Sequence, residues 1–362
     1  MRRAIDRLWR TLAPTTVADD DLRRSWVDPQ FLDGLWPLVQ AEDLGPWLAV
    51  RLHELGIVLP APWHDALAAD AAQGAAQALL LKEEVRHVAA LLDDAQIPVA
   101  LLKGAARAWL GGSPLVRARH VADCDLLVPA VDVPRVMARL AAAGYVRVGE
   151  GAPPGHWHAD PVRREQVTVE VHHALDAEAP AERVWQQVRA HSRPLPVGRT
   201  SVLLPDVAEL VWHALRHRLA SPRSWLRFRL VADLASLLPQ LDAAGRARLR
   251  ERLADEPASV VGRLAPLVRC VSAFASDPLA DDLGLPTGEA TPMRDVLLWR
   301  LAELWRHEDG ASRRVESGRM APYFVLGHEA DAVVDGRSVP RRMLDALAVA
   351  EFRRMLEDQP AS

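Results

Sequence analysis

The sequence has few cysteines, no excess of basic charge and no long uninterrupted apolar run. Its two cysteines, Cys124 and Cys270, show neither CxxC nor Cys/His spacing, which argues against a zinc finger or a structural disulfide. With a formal net charge of -4, the chain has no excess of positive charge to attract a phosphate backbone. Long duplex nucleic acid is therefore not expected as a standing partner. Charged residues interrupt residues 1–17, and no segment reaches the roughly 20 apolar residues of a membrane span. We therefore expect a cytoplasmic protein that does not contact a membrane.

Several catalytic motifs are also missing. The sequence has no Walker A motif, no GxGxxG after a strand and no GxSxG elbow. It therefore gives no support for P-loop, dinucleotide-binding or α/β-hydrolase chemistry.

Most of the chain has the apolar periodicity of amphipathic helices, punctuated by Pro and Gly. One α/β island, at 97–172, contains four strand-like runs at 99–102, 123–128, 145–148 and 166–171, and helical periodicity resumes at Asp206. We predict an α+β fold, with a small mixed β-sheet core flanked by N-terminal and C-terminal helical regions. The expected divisions are 1–75, 76–200 and 201–362. A purely helical scaffold is the structural alternative, and it predicts almost no strand content.

Asp123 and Asp125 are separated by one residue on a predicted strand, so their carboxylates share one face. Adjacent carboxylates raise each other's pKa, and a divalent cation with hard oxygen ligands such as Mg²⁺ relieves that repulsion. Glu170 lies between two valines in another predicted strand. If it faces the same way, three carboxylates can hold two metal ions about 3.5 to 4 Å apart for in-line phosphoryl transfer. The alternative for each acid is an exposed strand face.

Four further residues are candidate nucleotide contacts. Lys103 and Gly104 lie between a strand predicted at 99–102 and a helix predicted at 105–110. The N-terminus of that helix would favour phosphate. Arg119 is a second candidate phosphate clamp, and His172 shares the strand face of Glu170 and is a candidate phosphate or acceptor contact. Simple exposure, at a strand end or an edge strand, is the competing interpretation of these side chains.

Two histidines in a later helix form a weaker pattern. His213 and His217 lie one turn apart, with Glu209 one turn before them, a set that suits zinc. No HExxH motif accompanies them, so helix packing or a substrate-side position is favoured. The sequence leaves open whether they line the site.

Three segments together resemble a known family: Leu-Leu-Lys-Gly-Ala-Ala at 101–106, Arg-His-Val-Ala-Asp-Cys-Asp-Leu-Leu-Val at 119–128 and Val-Glu-Val-His at 169–172. They are similar to the uncharacterised nucleotidyltransferase family of the DNA polymerase β-like superfamily, and the similarity covers roughly 75–240. It implies that Asp123 and Asp125 are paired metal ligands, that Glu170 is the third carboxylate, and that the Lys103-Gly104 turn faces phosphate. The chain departs from the superfamily at Ala105, where Ser or Gly is usual, and at Cys124, where a larger aliphatic residue is usual.

These observations together predict a Mg²⁺-dependent enzyme with a two-metal site, for which Mn²⁺ is an alternative ion. The expected substrate is an NTP, with ATP favoured, and the NMP group passes to an acceptor hydroxyl with release of pyrophosphate. The acceptor is a small molecule, a protein or an RNA. The alternative is a protein that keeps the nucleotidyltransferase fold but binds a ligand or partner without turnover.

Overall fold

The computed structural model describes residues 2–149, 156–175, 180–220, 228–285, 332–334 and 337–339. Helices form the N-terminal region and much of the region after the sheet. The first five are α1 (Arg2–Leu12), α2 (Asp20–Ser25), α3 (Pro29–Ala41), α4 (Gly45–Glu54) and α5 (Ala61–Asp93). The later ones are α6 (Lys103–Arg107), α7 (Val133–Ala142), α8 (Ala181–Ala190), α9 (Val207–Ala220), α10 (Phe228–Leu237), α11 (Ala243–Ala254), α12 (Ala258–Ala275) and α13 (Leu279–Asp282).

Helix α5 is 33 residues long and connects the N-terminal helices to the sheet. Its interior contains Gly74, although glycine costs about 1 kcal/mol relative to alanine in a helix. A Cβ at this position would lie 2.9 Å from Pro46 Cγ and 3.3 Å from the Arg119 carbonyl oxygen. The glycine therefore permits close packing of α5 against α4 and against the segment that precedes the strand at 123–127.

One mixed sheet contains seven strands: β1 (Ala100–Leu101), β2 (Asp123–Leu127), β3 (Val146–Arg147), β4 (Val162–Arg163), β5 (Thr168–His172), β6 (Ser192–Val197) and β7 (Thr200–Pro205). Their order in the sheet is β3-β4-β5-β2-β1-β7-β6. Strand β2 is parallel to β5 and β1 is parallel to β7, whereas the other neighbouring pairs are antiparallel. A separate two-stranded hairpin contains β8 (Ala332–Val334) and β9 (Arg337–Val339).

The predicted α+β class is confirmed, and the mixed sheet excludes a purely helical scaffold. The four predicted strand runs contain β1, β2 and β3 and most of β5. The prediction that the α/β island ends at 172 is wrong, because β6 and β7 extend the sheet to Pro205. Pro194 and Pro196 lie in β6 although proline cannot donate a ladder hydrogen bond. They are tolerated because β6 is an edge strand, where a missing N–H removes few ladder hydrogen bonds.

The buried apolar residues form one continuous core that extends from Leu8 in α1 to Leu285 after α13. The N-terminal helices, the sheet and the helices after it all contribute to this core. Helix α5 runs through the predicted 75/76 boundary, and β7 runs through the 200/201 boundary. The three-part division stays a prediction.

Helix α12 is the one helix among the described residues that is long and apolar enough to cross a membrane. Its 18 residues have a mean hydropathy of 1.4, and 56% of the stretch is buried inside the fold. A core helix meets the same criteria, and Val260, Leu264, Val268 and Val271 are buried at helical spacing. The cytoplasmic location stays a prediction.

Candidate active site

The three predicted carboxylates lie on two adjacent parallel strands. In the register of β2 and β5, Asp125 is opposite Glu170 and Leu127 is opposite His172. Side chains alternate along a strand, so Asp123 and Asp125 share a face of the sheet, and Glu170 and His172 share a face two residues apart. The register therefore brings Asp125, Glu170 and His172 together.

Lys103 and His172 both contact the buried Asp125 carboxylate. The Lys103 ammonium Nζ is 2.6 Å from Asp125 Oδ1 and 3.7 Å from Glu170 Oε2. His172 Nε2 is 2.9 Å from the same Asp125 oxygen and 3.5 Å from Glu170 Oε2. Asp125 and His172 are both completely buried. Two polar side chains thus fix the orientation of Asp125.

The second oxygen of Asp125 is different. Oδ2 is buried and has no hydrogen-bond partner within the described part of the chain. An unpaired buried carboxylate oxygen is costly, and a cation is one of the groups that satisfies it. Possible ligand atoms of Asp125, Glu170 and His172 all lie within 4.8 Å of one another. This donor set fits a divalent cation, and carboxylate oxygens suit Mg²⁺.

The charges of the site are strongly coupled. The negative charge of Asp125, followed by burial, raises the pKa of Asp123 to about 6. Burial alone would raise the pKa of Asp125 as well, but Lys103 and His172 outweigh burial and hold it well below its usual value. Burial likewise opposes protonation of Lys103, yet Asp125 and Glu170 raise the pKa of its ammonium. The site therefore stabilises positive charge beside Asp125.

A half-open cavity of about 410 Å³ adjoins the carboxylates. Asp123 and Asp125 border it from β2, and Asp70, Gln73 and Gln77 border it from α5. The sequence analysis assigned no role to these three α5 residues. Their spacing of three and four residues places them on one helical face, which is the signal that could have indicated a common surface.

His120 ties this wall of α5 to the segment before β2. Its two ring nitrogens lie 3.1 Å from Gln77 Oε1 and 3.1 Å from Asp70 Oδ1. The backbone N–H of Val121 also donates to Gln77 Oε1. The helical wall and the segment before β2 are therefore connected by hydrogen bonds.

Arg119 lines the cavity, as a candidate phosphate clamp should, but it already has an ionic partner. Its Nη1 is 3.2 Å from Oδ2 of Asp233 in α10, and the other Asp233 oxygen is 3.3 Å from Nη2 of Arg107. Arg229 also borders the cavity and pairs with Asp43 at 2.9 Å. Sequence reasoning gave no site role to Asp233, because its partners Arg107 and Arg119 are more than 100 residues away in the chain.

The turn at Lys103 and Gly104 is tighter than predicted. Helix α6 begins at Lys103 itself and has five residues, so the helix predicted at 105–110 starts earlier and ends earlier. A Cβ at Gly104 would lie 2.8 Å from Val121 Cγ1. The close approach that requires glycine here is thus packing against Val121. Lys103 has a φ of +40°, in the left-handed region that non-glycine residues seldom adopt.

His172 is an interior residue of the sheet, because β5 lies between β4 and β2. The edge-strand alternative for His172 is therefore wrong. Its ring lies 5.3 Å from the ring of His158 and 6.2 Å from that of His213, so His213 adjoins a site residue. Burial holds the pKa of His213 well below its usual value, which keeps this imidazole neutral.

The zinc set considered for α9 does not form among the described residues. Glu209 faces Arg252, at 2.5 Å, and His191, at 3.1 Å, instead of the two histidines. The His213 and His217 rings are 5.8 Å apart, and no group of three metal-ligand atoms that includes them is found in the described part of the chain. Packing is the better description of this pair.

The fold and the site together define a class. A mixed sheet that presents carboxylates on adjacent parallel strands, beside a polar cavity and between helical regions, is characteristic of nucleotidyltransferase-like proteins. The chain belongs to the family described as "Uncharacterised nucleotidyltransferase", whose family model matches residues 29–259.

Two solved structures are similar to part of the chain. One is an antigenic nucleotidyltransferase-like protein from Paracoccidioides brasiliensis, with 17% identity, a TM-score of 0.32, and coverage of 51% of this chain and 91% of the other. The second is the antibiotic-resistance factor ANT(2'')-Ia, with 15% identity, a TM-score of 0.35, and coverage of 49% and 95%. No protein of curated function matches the sequence.

Proposed function

We propose that this protein is a Mg²⁺-dependent nucleotidyltransferase that moves the NMP group of an NTP, with ATP as the expected nucleotide, to an acceptor hydroxyl. Membership of a nucleotidyltransferase family supports the general activity. The observation that carries the proposal is the Asp125–Glu170 register, with one buried Asp125 oxygen unpartnered among the described residues. The unpartnered oxygen supports Asp125 as a metal ligand.

Asp123, Asp125 and Glu170 would hold the cations. Bound Mg²⁺ would supply the positive charge that offsets the negative charge of the phosphates and of the leaving pyrophosphate. Mn²⁺ accepts the same oxygen ligands. His172 acts here by holding Asp125 Oδ1, which keeps Oδ2 directed elsewhere.

The remaining residues bind and orient the substrates. Lys103, at the turn with Gly104, and Arg119, in the cavity wall, are the proposed triphosphate contacts. In the reaction, the acceptor oxygen bonds to the α-phosphorus while the bond from that phosphorus to the α,β-bridging oxygen breaks. Pyrophosphate leaves with the electron pair, and the acceptor proton passes to a site carboxylate or to solvent.

The acceptor would bind in the cavity beside Asp123. Asp70, Gln73 and Gln77 provide a wall of hydrogen-bonding groups suited to hydroxyls or amides. A cavity of about 410 Å³ is in the range of small-molecule sites. The proposal retains three acceptor classes: a small molecule, one end of a protein and one end of an RNA.

The proposal is tested by intact mass after incubation with Mg²⁺, each isotopically labelled NTP and a lysate-derived acceptor pool. We expect an acceptor in the pool to gain the mass of one NMP group when the wild-type protein is present. The double variant Asp123→Asn/Asp125→Asn should lose about 10³-fold or more of this activity, because the metal charge is no longer held. Asp65→Asn, at an exposed aspartate outside the site, is the matched control. Full activity in the double variant would refute the mechanism.

A second candidate is a nucleotide-binding protein without turnover. The specific observation in its favour is the ion pair between Lys103 and Asp125, in which an ammonium provides the charge that neutralises the carboxylate. Calorimetry separates the two functions. ATP binding that requires Mg²⁺ and is lost in the double variant supports the enzyme, whereas metal-independent ATP binding supports the binding protein.

A further inference from the structure

The site contains an unusual basic residue for this protein. Of 44 lysine and arginine residues, only Lys82 and Lys103 are lysines. Lys82 lies on α5 with its ammonium 5.0 Å from the ring centre of Trp109, away from the carboxylates. A lysine ammonium is a compact point charge on a flexible stem, whereas an arginine is a rigid planar fork. Lys103 therefore supplies a cation that can enter and leave a narrow space.

The position of Lys103 is specified by both its side chain and its backbone. The ammonium lies between Asp125 and Glu170, close to the first and within ion-pair range of the second. The left-handed backbone at Lys103 is unfavourable for a non-glycine residue and persists only where other contacts hold it. One such contact is the adjacent Leu102 N–H, which donates to the Asp125 carbonyl oxygen at 3.0 Å.

The ammonium and a divalent cation would share the same two carboxylates. Asp125 and Glu170 belong to the group whose ligand atoms could hold a metal ion, and both are ion-pair partners of Lys103. Two positive charges repel at such short range, especially next to a fully buried carboxylate. A metal ion can therefore bind fully only if the ammonium moves away.

We propose that Lys103 is an internal counterion that competes with the divalent cation for Asp125 and Glu170. Metal binding releases the ammonium toward the phosphates of the nucleotide. This inference rests on the proposed metal site. Metal alone binds weakly because it must displace Lys103, and the nucleotide strengthens metal binding by accepting the displaced charge. By thermodynamic reciprocity, metal strengthens nucleotide binding by the same factor.

Calorimetric titration with Mg²⁺ in the absence of nucleotide tests this role. We expect Lys103→Met to bind Mg²⁺ on the order of 10-fold more tightly than the wild type, in the range usual for coupled sites. The same variant should bind ATP more weakly in saturating Mg²⁺. Lys82→Met, which removes the other lysine, should match the wild type in both titrations.

The outcomes separate the two proposals. Equal Mg²⁺ affinity of the wild type and Lys103→Met overturns the counterion role and leaves the proposed function standing. Absence of Mg²⁺ binding in both proteins, with or without ATP, overturns the metal site and the counterion role together. Circular dichroism verifies that each variant is folded before it is titrated.

A measurement on the wild-type side chain does not depend on the stability of Lys103→Met. Reductive ¹³C-methylation keeps the lysine charge and gives one resonance set for each of the two lysines and one for the N-terminal amine. The Lys82→Met variant assigns the signals. Mg²⁺ should shift the Lys103 resonance and leave that of Lys82 unchanged. A Lys103 resonance that stays fixed while Mg²⁺ saturates the protein overturns the proposal.

Discussion

Asp233 is the carboxylate that forms ion pairs with several arginines near the cavity. It contacts Arg107 and Arg119 directly, and Arg229 Nε lies 4.0 Å away. Burial would raise the pKa of Asp233, but Arg119 and Arg107 outweigh it and lower the pKa. One buried negative charge thus compensates several guanidinium groups.

We expect Asp233→Asn to lower the free energy of unfolding by about 3–5 kcal/mol, because it leaves buried guanidinium charge uncompensated. Urea denaturation followed by circular dichroism measures this change. Asp33→Asn, at an exposed position, should stay within about 0.5 kcal/mol of the wild type. Equal stability of the two variants would show that solvent already screens the arginine cluster.

The raised pKa of Asp123 predicts that the stability of the fold depends on pH when a chelator removes divalent cations. Its pKa is raised from 3.8 to about 6 in the folded protein, so the folded state binds this proton more tightly than the unfolded state. When the pH is above the folded pKa, the ionised Asp123 carboxylate destabilises the folded state. This loss of stability disappears as the pH falls toward the pKa of the unfolded state.

We therefore expect the wild type to gain about 1–2 kcal/mol of stability relative to Asp123→Asn when the pH is lowered from 7 to 5, a range that includes the folded pKa. Urea titrations at both pH values give the difference. Saturating Mg²⁺ should reduce this stability difference, because the cation offsets the repulsion between Asp123 and Asp125. Identical pH profiles for the two proteins would contradict the coupling of Asp123 to Asp125.

At the scale of elements, α6 and the segment before β2 meet with no space for an extra methyl group. Gly104→Ala should lower the free energy of unfolding by about 1–3 kcal/mol, because its Cβ would lie 2.8 Å from Val121 Cγ1. Thermal and urea unfolding measure the loss. Gly111→Ala is the control, since nothing lies within 4 Å of a Cβ there.

A second substitution checks the cause. Val121→Ala removes the methyl group that the new Cβ would meet, so the double variant should be more stable than the sum of the single changes predicts. Such a deviation is expected for residues in contact. Additive effects would place the origin of the loss in the backbone of Gly104.

Local patterns predicted the strands that lie within strand-like runs of at least four residues, as β1 and β3 do although each has only two residues. Strands β2 and β5 have five residues each and were expected, together with the common face of Asp123 and Asp125. Strand β4 has only two residues, and β7 pairs with β1 through Ala100 and Leu203, far apart in sequence. Neither the short strand nor the distant pairing leaves a local signal.

At the scale of the whole molecule, the site combines residues from regions that no single pattern connects. The direction of Lys103 depends on a left-handed backbone and on Asp125 across the sheet, and periodicity specifies neither. Asp70 and Gln77 reach the cavity because α5 packs against α4 and contacts His120. The carboxylates were therefore predictable from sequence, whereas the opposite wall required the tertiary fold.

The continuous helix α5 has a consequence for how such a site can diverge. Gln73, exposed and bordering the cavity, projects from the same rigid helix as Asp70 and Gln77, while the carboxylates project from separate strands. Substitutions at Gln73 can change the cavity wall while leaving the carboxylate-bearing strands in place, whereas Asp70 and Gln77 are also bonded to the segment before β2. A saturation library at Gln73 is thus a compact way to vary one wall of the cavity while the contacts that hold the neighbouring strand stay in place.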